Sequence, residues 1–503
     1  MTSADLTALA PLLAVLGVAI LVLAVDFVLP GRDDLAVALG VVGIVVVGAV
    51  TWATGGGVDG AIQSAFGGSY AVDAATTFLD LVFVVIALIT LLVAPDYLGP
   101  RGLPFAEFTV TLLFAISGAF LIAGSADLLV LFLGLELLVL PGYMLAGFHK
   151  REGLSTEGAI KYFLLGSFSS AIFLFGLAFV WGFTGTTRIA EVAAALAGGP
   201  LGPGLAMGLA FLTAGAAFKI AAVPFHYWTP DAYQGSPTPV TAYLSTGPKV
   251  AAFALILRVF VESLGGIRAE WVGAIVVLAA LTMTLGNLVA LTQSNLKRML
   301  AYSSIAHTGY ILVGLAAFAA EPAGDPSRSG LEGILFYTAA YAFMNLGAFA
   351  VVSALQRRPG VTSEIGTYAG LIRREPVAAV LMALFLLSLV GIPPTAGFFG
   401  KAYVILAAVQ STDPAVVALA VLAVLNAAAA AFYYLRVVVF MFMREAPEGM
   451  PPVGLGGILR ERRLFLLWTG LAAAGVGTVV LGLYPVPILE MVVKAAAALV
   501  APG

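Results

Sequence analysis

Long apolar stretches with few charges recur along this whole chain and limit what it can fold into. A helix needs about 20 apolar residues to cross a bilayer. Of the 503 residues, 61% are hydrophobic and 10% are charged, whereas soluble domains carry about 25% charged residues. The stretches are apolar on every face and do not alternate as barrel strands do. The sequence therefore predicts an all-α, polytopic membrane protein with about fourteen transmembrane helices.

We number the predicted segments 1 to 14 in chain order. They span residues 7–29, 35–54, 74–95, 105–124, 127–148, 156–183, 203–226, 238–263, 270–293, 299–320, 331–356, 376–410, 414–443 and 464–484.

Two of these segments carry prolines that are expected to break them. Pro224 lies in segment 7, and Pro393 and Pro394 lie in segment 12. Broken helices in matching parts of two halves are the usual sequence sign of inverted-topology repeats around a midplane site. We predict such repeats, made of segments 4–8 and 9–13. The corresponding domains are 1–104 (segments 1–3), 105–263 (first half), 264–445 (second half) and 446–503 (cytoplasmic loop and segment 14).

The distribution of Lys and Arg predicts the orientation in the membrane, because cytoplasmic loops retain positive charge. Of the 24 basic residues, three follow even-numbered segments: Arg188, Arg268 and Arg328. Fourteen follow odd-numbered segments: Arg32, Arg101, Lys150, Arg151, Lys297, Arg298, Arg357, Arg358, Arg373, Arg374, Arg444, Arg460, Arg462 and Arg463. Both termini are therefore predicted to face the outer, periplasmic side.

Composition also argues against several kinds of site. The chain has no cysteine, which excludes disulfides, thiolate metal sites and iron–sulfur clusters held by this chain. His149, His226 and His307 lie in separate segments without the spacing of a metal motif. The net charge of -3 gives no indication of a nucleic-acid partner. We expect no cofactor in this chain.

Four ionisable residues deep inside apolar segments are the main candidates for function. An ionisable group at the bilayer centre is costly, so such groups usually face the bundle interior and mark an ion or proton path. Glu136 lies in segment 5, Lys219 in segment 7, Lys249 in segment 8 and Lys401 in segment 12. We expect Glu136 to lie within direct or one-water reach of Lys219. The alternative hypothesis is that these charges form ion pairs that only hold helices together.

Other polar residues in the segments are auxiliary candidates, each with a structural alternative. Lys161 lies one turn after Glu157, so it either pairs with that residue or has a functional role. His226 and His307 can carry protons near neutral pH, or they are core histidines satisfied by hydrogen bonds. Arg258 is expected to snorkel or to close the outer end of its segment, and Arg436 is expected to snorkel at the inner end.

Five stretches resemble one known family. They are LFLGLELLVLPGYMLAGF, EGAIKYFLLGSFSSA, FKIAAVPFHYWTPDAYQGSPTPVTAYLSTGPKVAAF, NLKRMLAYSSIAHTGY and GIPPTAGFFGK. The chain is similar to subunit N of bacterial proton-pumping NADH-quinone oxidoreductase, respiratory complex I, in the antiporter-like subunit family. Lysine at 401 differs from the glutamate of the M-type subunit. No long lateral helix of the L-type follows segment 14, and both features favour subunit N.

The resemblance implies a function and a set of partners. Glu136 and Lys219 would form the intramembrane pair, Lys249 and Lys401 would continue a hydrophilic proton axis, and Lys161, His226 and His307 match auxiliary positions. Electrons would pass from NADH through FMN and iron–sulfur clusters to a quinone in partner subunits of the membrane and peripheral arms. The implied location is the bacterial inner membrane.

Two other functions stay open from the sequence. A cation/proton antiporter or a membrane-bound hydrogenase would use the same lysines with a different set of partners. A passive membrane scaffold would use the charges only to hold the helices together.

Overall fold

The computed structural model describes residues 2–55, 62–197, 201–321, 328–356, 361–446 and 465–500. Within these ranges the chain folds into nineteen α-helices and one short antiparallel hairpin, β1 (Gln63–Ala65) and β2 (Tyr70–Val72). The helices are α1 (Ser3–Val28), α2 (Asp33–Thr54), α3 (Ala74–Leu98), α4 (Phe105–Ala123), α5 (Leu128–Ala146), α6 (Gly153–Thr184), α7 (Ile189–Leu196), α8 (Pro203–Lys219), α9 (Trp228–Gly235), α10 (Thr238–Ile256), α11 (Arg268–Thr292), α12 (Leu296–Ala320), α13 (Ser329–Leu355), α14 (Leu371–Arg374), α15 (Pro376–Val390), α16 (Ala396–Val409), α17 (Pro414–Met443), α18 (Phe465–Leu483) and α19 (Val486–Ala498).

Among the described residues, twelve helical stretches are long and apolar enough to cross a membrane. They account for twelve of the predicted segments. The other two, segments 7 and 12, correspond to the shorter apolar helices α8 and α15 with α16. The prediction of an all-α, multi-pass membrane protein is thus confirmed. The basic residues at 357–358 and 460–463, which contribute to the predicted orientation, lie outside the described residues. The twofold relation between the two halves stays a prediction.

The bundle has a buried centre and an apolar exterior. Helices α3, α10, α12 and α13 are almost entirely buried, and α10 packs against α3, α4 and α13. Helices α1, α2, α6 and α17 instead expose large apolar side chains, including Phe27, Trp52, Phe168 and Phe432. Such a surface suits a lipid environment, where apolar side chains need no protein cover.

Segment 7 was predicted to be helical to residue 226, but α8 ends at Lys219. Proline lacks an N–H and its ring clashes with the carbonyl four residues earlier, so Pro224 prevents the helix from continuing through Ile220. Residues 220–227 form turns, and α9 begins at Trp228. Ala221 within these turns has a φ of 58°, which is uncommon for alanine. The predicted break is confirmed.

Segment 12 breaks in the same way. Helix α15 ends at Val390 and α16 begins at Ala396. In a continuous helix, residues 393 and 394 would donate their N–H groups to the carbonyls of Leu389 and Val390. Both positions are proline, so these two carbonyls are left without a helical partner. The second predicted break is therefore also confirmed.

The end of segment 8 differs from the prediction of a regular helix. The α-helical part stops at Ile256, and Leu257–Ser263 continues as a π-helix. The wider turns bring the side chain of Arg258, which is buried, against the start of α3. Periodicity in an apolar run does not reveal such a local change of hydrogen-bond pattern.

Candidate functional site

At the two breaks, the carbonyls freed by Pro224, Pro393 and Pro394 each accept a hydrogen bond from a specific side chain. Thr308 Oγ1 donates to the Ile220 carbonyl over 2.8 Å at the first break. Lys401 Nζ donates to the Leu389 and Val390 carbonyls over 2.9 and 2.7 Å at the second break. Buried polar groups without partners are costly, so the broken backbone and these side chains stabilise each other. Lys401 is thus held at the carbonyl end of α15, where the helix dipole favours a cation.

Inside α10, Pro248 also frees the carbonyl four residues before it, but the helix continues. Its missing N–H would have bonded the Leu244 carbonyl, which accepts a hydrogen bond from the hydroxyl of Tyr233 over 3.1 Å. Tyr233 lies on α9, beyond the first break. The short helix α9 therefore completes the hydrogen bonding of the helix that carries Lys249.

Lys249 is 3% exposed, and every hydrogen on its ammonium group has an acceptor. Its Nζ lies 2.5 Å from the Ser304 carbonyl, 2.7 Å from Ser304 Oγ and 2.8 Å from Thr308 Oγ1. Thr308 in turn bonds Ile220 at the first break. Lys249 is therefore connected to the broken end of α8 through a single threonine.

Lys219 is the last residue of α8 and is also buried. Its Nζ donates to Ser170 Oγ on α6 over 2.8 Å. A small cavity adjoins it, lined by residues of α5, α6, α9 and α10, including Tyr162 and Pro248. Lys219 is thus an interior residue, as the sequence predicted.

The predicted pair of Glu136 and Lys219 is present only as a longer-range interaction. No nitrogen–oxygen distance between these two described residues is within 4.0 Å, although the Glu136 charge acts on Lys219. Glu136 Oε1 is buried and has no hydrogen-bond partner among the described residues. Direct contact is therefore wrong for this structure, and contact through one water stays a prediction. The reason is that Lys219 extends instead to the hydroxyl of Ser170.

His307 lies on α12, one turn after Ser303 and Ser304. Its Nδ1 lies 2.7 Å from the Tyr337 hydroxyl and its Nε2 lies 3.2 Å from the Tyr434 hydroxyl. Tyr434 continues to Ser303 through a short hydrogen bond. With both ring nitrogens bonded to hydroxyls, which can donate or accept, either neutral tautomer or the charged ring can be accommodated.

Helix α12 joins the two halves of the site. Tyr310, on the same helix as His307, places its ring 4.8 Å from Lys401 Nζ and 5.8 Å from the His307 ring. The other side of this stretch binds Lys249 through Ser304 and Thr308. Residues 303–310 of α12 therefore contact both Lys249 and Lys401.

Lys161 lies apart from this site, in a charged cluster at one end of the bundle. Its Nζ pairs with Glu157 over 2.6 Å, which is one of the two alternatives that the sequence left open, and also with Asp231 over 2.7 Å. Arg298 binds the other oxygen of Asp231 over 2.7 Å. Partial burial raises the pKa of Asp231, but the hydrogen bonds and charges of Lys161 and Arg298 outweigh that effect and hold its pKa below the ordinary value.

His226 is buried in the turns that follow α8 and stacks on Tyr227. Its Nδ1 has no hydrogen-bond partner among the described residues. The structure therefore does not bond His226 to the lysines on either side of the first break, and the predicted auxiliary role stays a prediction. Arg436, expected to snorkel, bonds the Leu291 and Gln293 carbonyls.

The sequence interpretation missed several partners of the predicted residues. They are Ser170, Thr308, Tyr337 and Tyr434 in the interior, Asp231 and Arg298 in the end cluster, and Asp73, Asp80 and Glu262 near Arg258. One available signal was Ser304 and Thr308, which are four residues apart and share a helix face. For Tyr337 and Tyr434 the sequence carried no such signal, because their partner lies on another helix.

No cluster of three or more His, Asp or Glu side chains suited to a metal ion occurs in the part of the chain that the structure describes. The site consists of buried amines, one imidazole and hydroxyl groups around two broken helices. Such groups transfer or hold protons and do not themselves carry electrons. Together with the fold, they define a polytopic membrane protein of the antiporter-like class.

Comparisons with known proteins place the chain within this class. Residues 125–426 match the family model described as NADH:quinone oxidoreductase/Mrp antiporter, TM. The chain is 42% identical to NADH-quinone oxidoreductase subunit N 2 of Solibacter usitatus over 429 residues, covering 85% of this chain and 83% of that protein. The chain belongs to this family of membrane subunits, among the relatives named NADH-quinone oxidoreductase subunit N.

Solved structures agree with this assignment. A chain of respiratory complex I from Thermus thermophilus with bound aureothin is 33% identical, has a TM-score of 0.76, and the match covers 95% of this chain and 98% of that one. A chain of the Mrp complex from Dietzia has a TM-score of 0.82 at 24% identity, with 100% and 98% covered. At that identity the second likeness shows the fold alone.

Proposed function

We propose that this chain is the proton-translocating subunit N of the membrane arm of a NADH-quinone oxidoreductase. The observation that carries the proposal is the stretch 303–310 of α12, which contacts Lys249, Lys401 and the freed carbonyl of the first break. Protons pass along Lys219, Lys249, His307 and Lys401, with water bridging the gaps. Glu136 acts on the charge of Lys219, and Lys161 and His226 are auxiliary groups on the cytoplasmic side.

The site can respond to a change of charge nearby. Three acceptors around Lys249 favour its ammonium form, whereas burial without a contacting carboxylate favours the neutral amine. Opposing effects of this kind let a neighbouring charge decide the protonation state. We infer that a change at Lys219 or His307 shifts Lys249 between its two forms and so moves a proton along the axis.

The energy for this transfer comes from partner subunits. Quinone reduction drives it, with NADH, FMN, iron–sulfur clusters and quinone bound by partners in the membrane and peripheral arms. The protein lies in the bacterial inner membrane with both termini on the outer side, since most basic loops follow odd-numbered segments. Protons then enter from the end that carries Lys161 and leave at the opposite end.

A cation/proton antiporter is the second candidate, and the observation that favours it is the matching family model, whose description includes the Mrp antiporter. Complex I subunits and antiporter subunits share this fold, so the identity of the partner subunits distinguishes the two functions. Purification of the native complex discriminates: a complex I subunit is recovered with peripheral-arm subunits and NADH-dependent quinone reduction, whereas an antiporter subunit is recovered without them.

The test uses the purified complex in liposomes, where quinone reduction and proton uptake are measured together. We expect the Lys219→Ala complex to move fewer protons per electron than the wild type, because a residue of the axis is missing. Lys150→Ala is the matched control, since Lys150 is an exposed lysine in a loop. Proton uptake per electron at the wild-type value in Lys219→Ala, combined with poor assembly, would support the passive scaffold instead.

A further inference from the structure

Two carboxylates bind one guanidinium where α3 begins, at the end of the bundle opposite Lys161, and a third carboxyl group lies deeper in the same helix. Arg258 binds both oxygens of Asp73 over 2.9 and 3.1 Å and also pairs with Glu262. It further donates to Thr76 Oγ1 and to the Ala123 carbonyl, each over 2.9 Å. A guanidinium has five N–H groups, and these five bonds use all of them.

Asp80 is the third carboxyl group and receives none of these bonds. It lies seven residues after Asp73 on α3, which places it two turns deeper on the same face of the helix. Asp80 is 1% exposed, and its Oδ1 is buried without a hydrogen-bond partner among the described residues. The hydroxyl of Tyr70, which is also 1% exposed, likewise has no partner among them, and the two groups interact electrostatically.

The charged groups that act on Asp80 are Asp73, which repels a negative charge there, and Arg258, which attracts it. Arg258 is already bonded to two other carboxylates. An ionised carboxylate that is buried without a hydrogen-bond donor is strongly disfavoured. Because Asp80 Oδ1 has no donor among the described residues, its surroundings favour the protonated acid.

The exposed fraction increases from the deepest of the three carboxyl groups to the outermost one. Asp80 is 1% exposed, the Asp73 side chain 9% and the Glu262 side chain 17%. On the inner side, Arg258 follows Lys249 by nine residues on the same continuous helical run, or about 13 Å along its axis. Helix α3 packs directly against α10. The cluster thus lies between the lysine axis and the surface.

We propose that Asp80 is the proton-release site of this subunit. Its carboxyl group gives its proton to water, Asp73 and Glu262 pass that proton to the surface, and the Asp80 carboxylate is then reprotonated from the Lys249 side. Arg258 is a positioning residue that holds the two outer carboxylates in place. The proposal rests on the proposed function, because it assumes that protons arrive along the lysine axis.

The test is Asp80→Asn in the whole complex, reconstituted in liposomes. Asparagine has the shape of a protonated aspartic acid and no charge, so assembled complex is expected at the wild-type amount. Proton release through this subunit is expected to fall by about 100-fold, as for loss of a proton-transferring group. Proton uptake per electron therefore falls. Asp80→Glu restores it, whereas Asp34→Asn, at an exposed carboxylate paired with Arg32, changes nothing.

Infrared difference spectra provide a readout that does not depend on assembly yield. Turnover is expected to produce a carbonyl signal of a protonated carboxylic acid in the wild type, and that signal is missing in Asp80→Asn. Wild-type proton uptake per electron in Asp80→Asn, or an unchanged infrared signal, would overturn the assignment. If Lys219→Ala lowers proton uptake while Asp80→Asn does not, this inference fails and the proposed function stands. If neither lowers it, the proposed function itself fails.

Discussion

Alanine in place of Lys401 is expected to stop proton transfer across the second break. The Lys401 ammonium is the donor to the carbonyls of Leu389 and Val390, and it is the titratable group there. Loss of a positioned proton-transferring group slows transfer by about 100-fold to 10,000-fold. Two carbonyls also lose their donor, at about 1 to 3 kcal/mol for a buried group. We therefore expect a modest loss of assembled complex and a large loss of pumping.

Proton uptake per electron in liposomes measures this effect, corrected for the amount of complex. Lys150→Ala controls for the removal of a lysine, because Lys150 is exposed. If Lys401→Ala pumps like the wild type once the amount of complex is corrected for, Lys401 serves only to close the broken end of α15.

Leucine in place of Arg258 is expected to destabilise the protein more than any other single change considered. It leaves Asp73 and Glu262 without their cation and removes the donors to Thr76 and Ala123. Breaking a buried ion pair from one side costs about 3 to 5 kcal/mol. The amount of assembled complex and its melting temperature in detergent should both fall.

The matched control for this change is Arg32→Leu. Arg32 pairs with Asp34, but both side chains are exposed, and ion pairs in contact with water contribute little. No change in melting temperature is expected from it. A melting temperature of Arg258→Leu as high as that of the control would show that the carboxylates near Arg258 do not depend on it.

Sequence alone predicts much of the architecture, because apolar length and proline position are local properties. The two breaks follow from Pro224, Pro393 and Pro394, since each proline acts on the carbonyl four residues before it. The short helices α7, α9, α14 and α19 were not predicted. Helix α9 contains few apolar residues, and its place is fixed by contacts such as that of Tyr233 with Leu244.

The candidate residues were found from their depth in apolar segments, but their partners were not. The position of Lys219 and Lys249 deep within apolar segments indicates that both residues are interior. That position does not indicate that Lys219 extends to Ser170 on α6 or that Lys249 extends to Thr308 on α12, because helix neighbours depend on the three-dimensional packing. The same limit applies to Glu136 and Lys219, which were expected to lie within direct or one-water reach of each other. Opposite charges at similar depth need not face each other.

Proton movement through this chain is expected to need the titration of buried lysines, beyond their mere charge. Lys249→Arg separates the two properties, because arginine keeps the positive charge and the donors to Ser304 and Thr308 but does not release its proton. Lys150→Arg, in an exposed loop, is the matched control. The measurement is the number of protons taken up per electron by assembled complex in liposomes. We expect Lys249→Arg to lower this number while the control leaves it unchanged. A wild-type number in Lys249→Arg would show that Lys249 does not need to release a proton for transport.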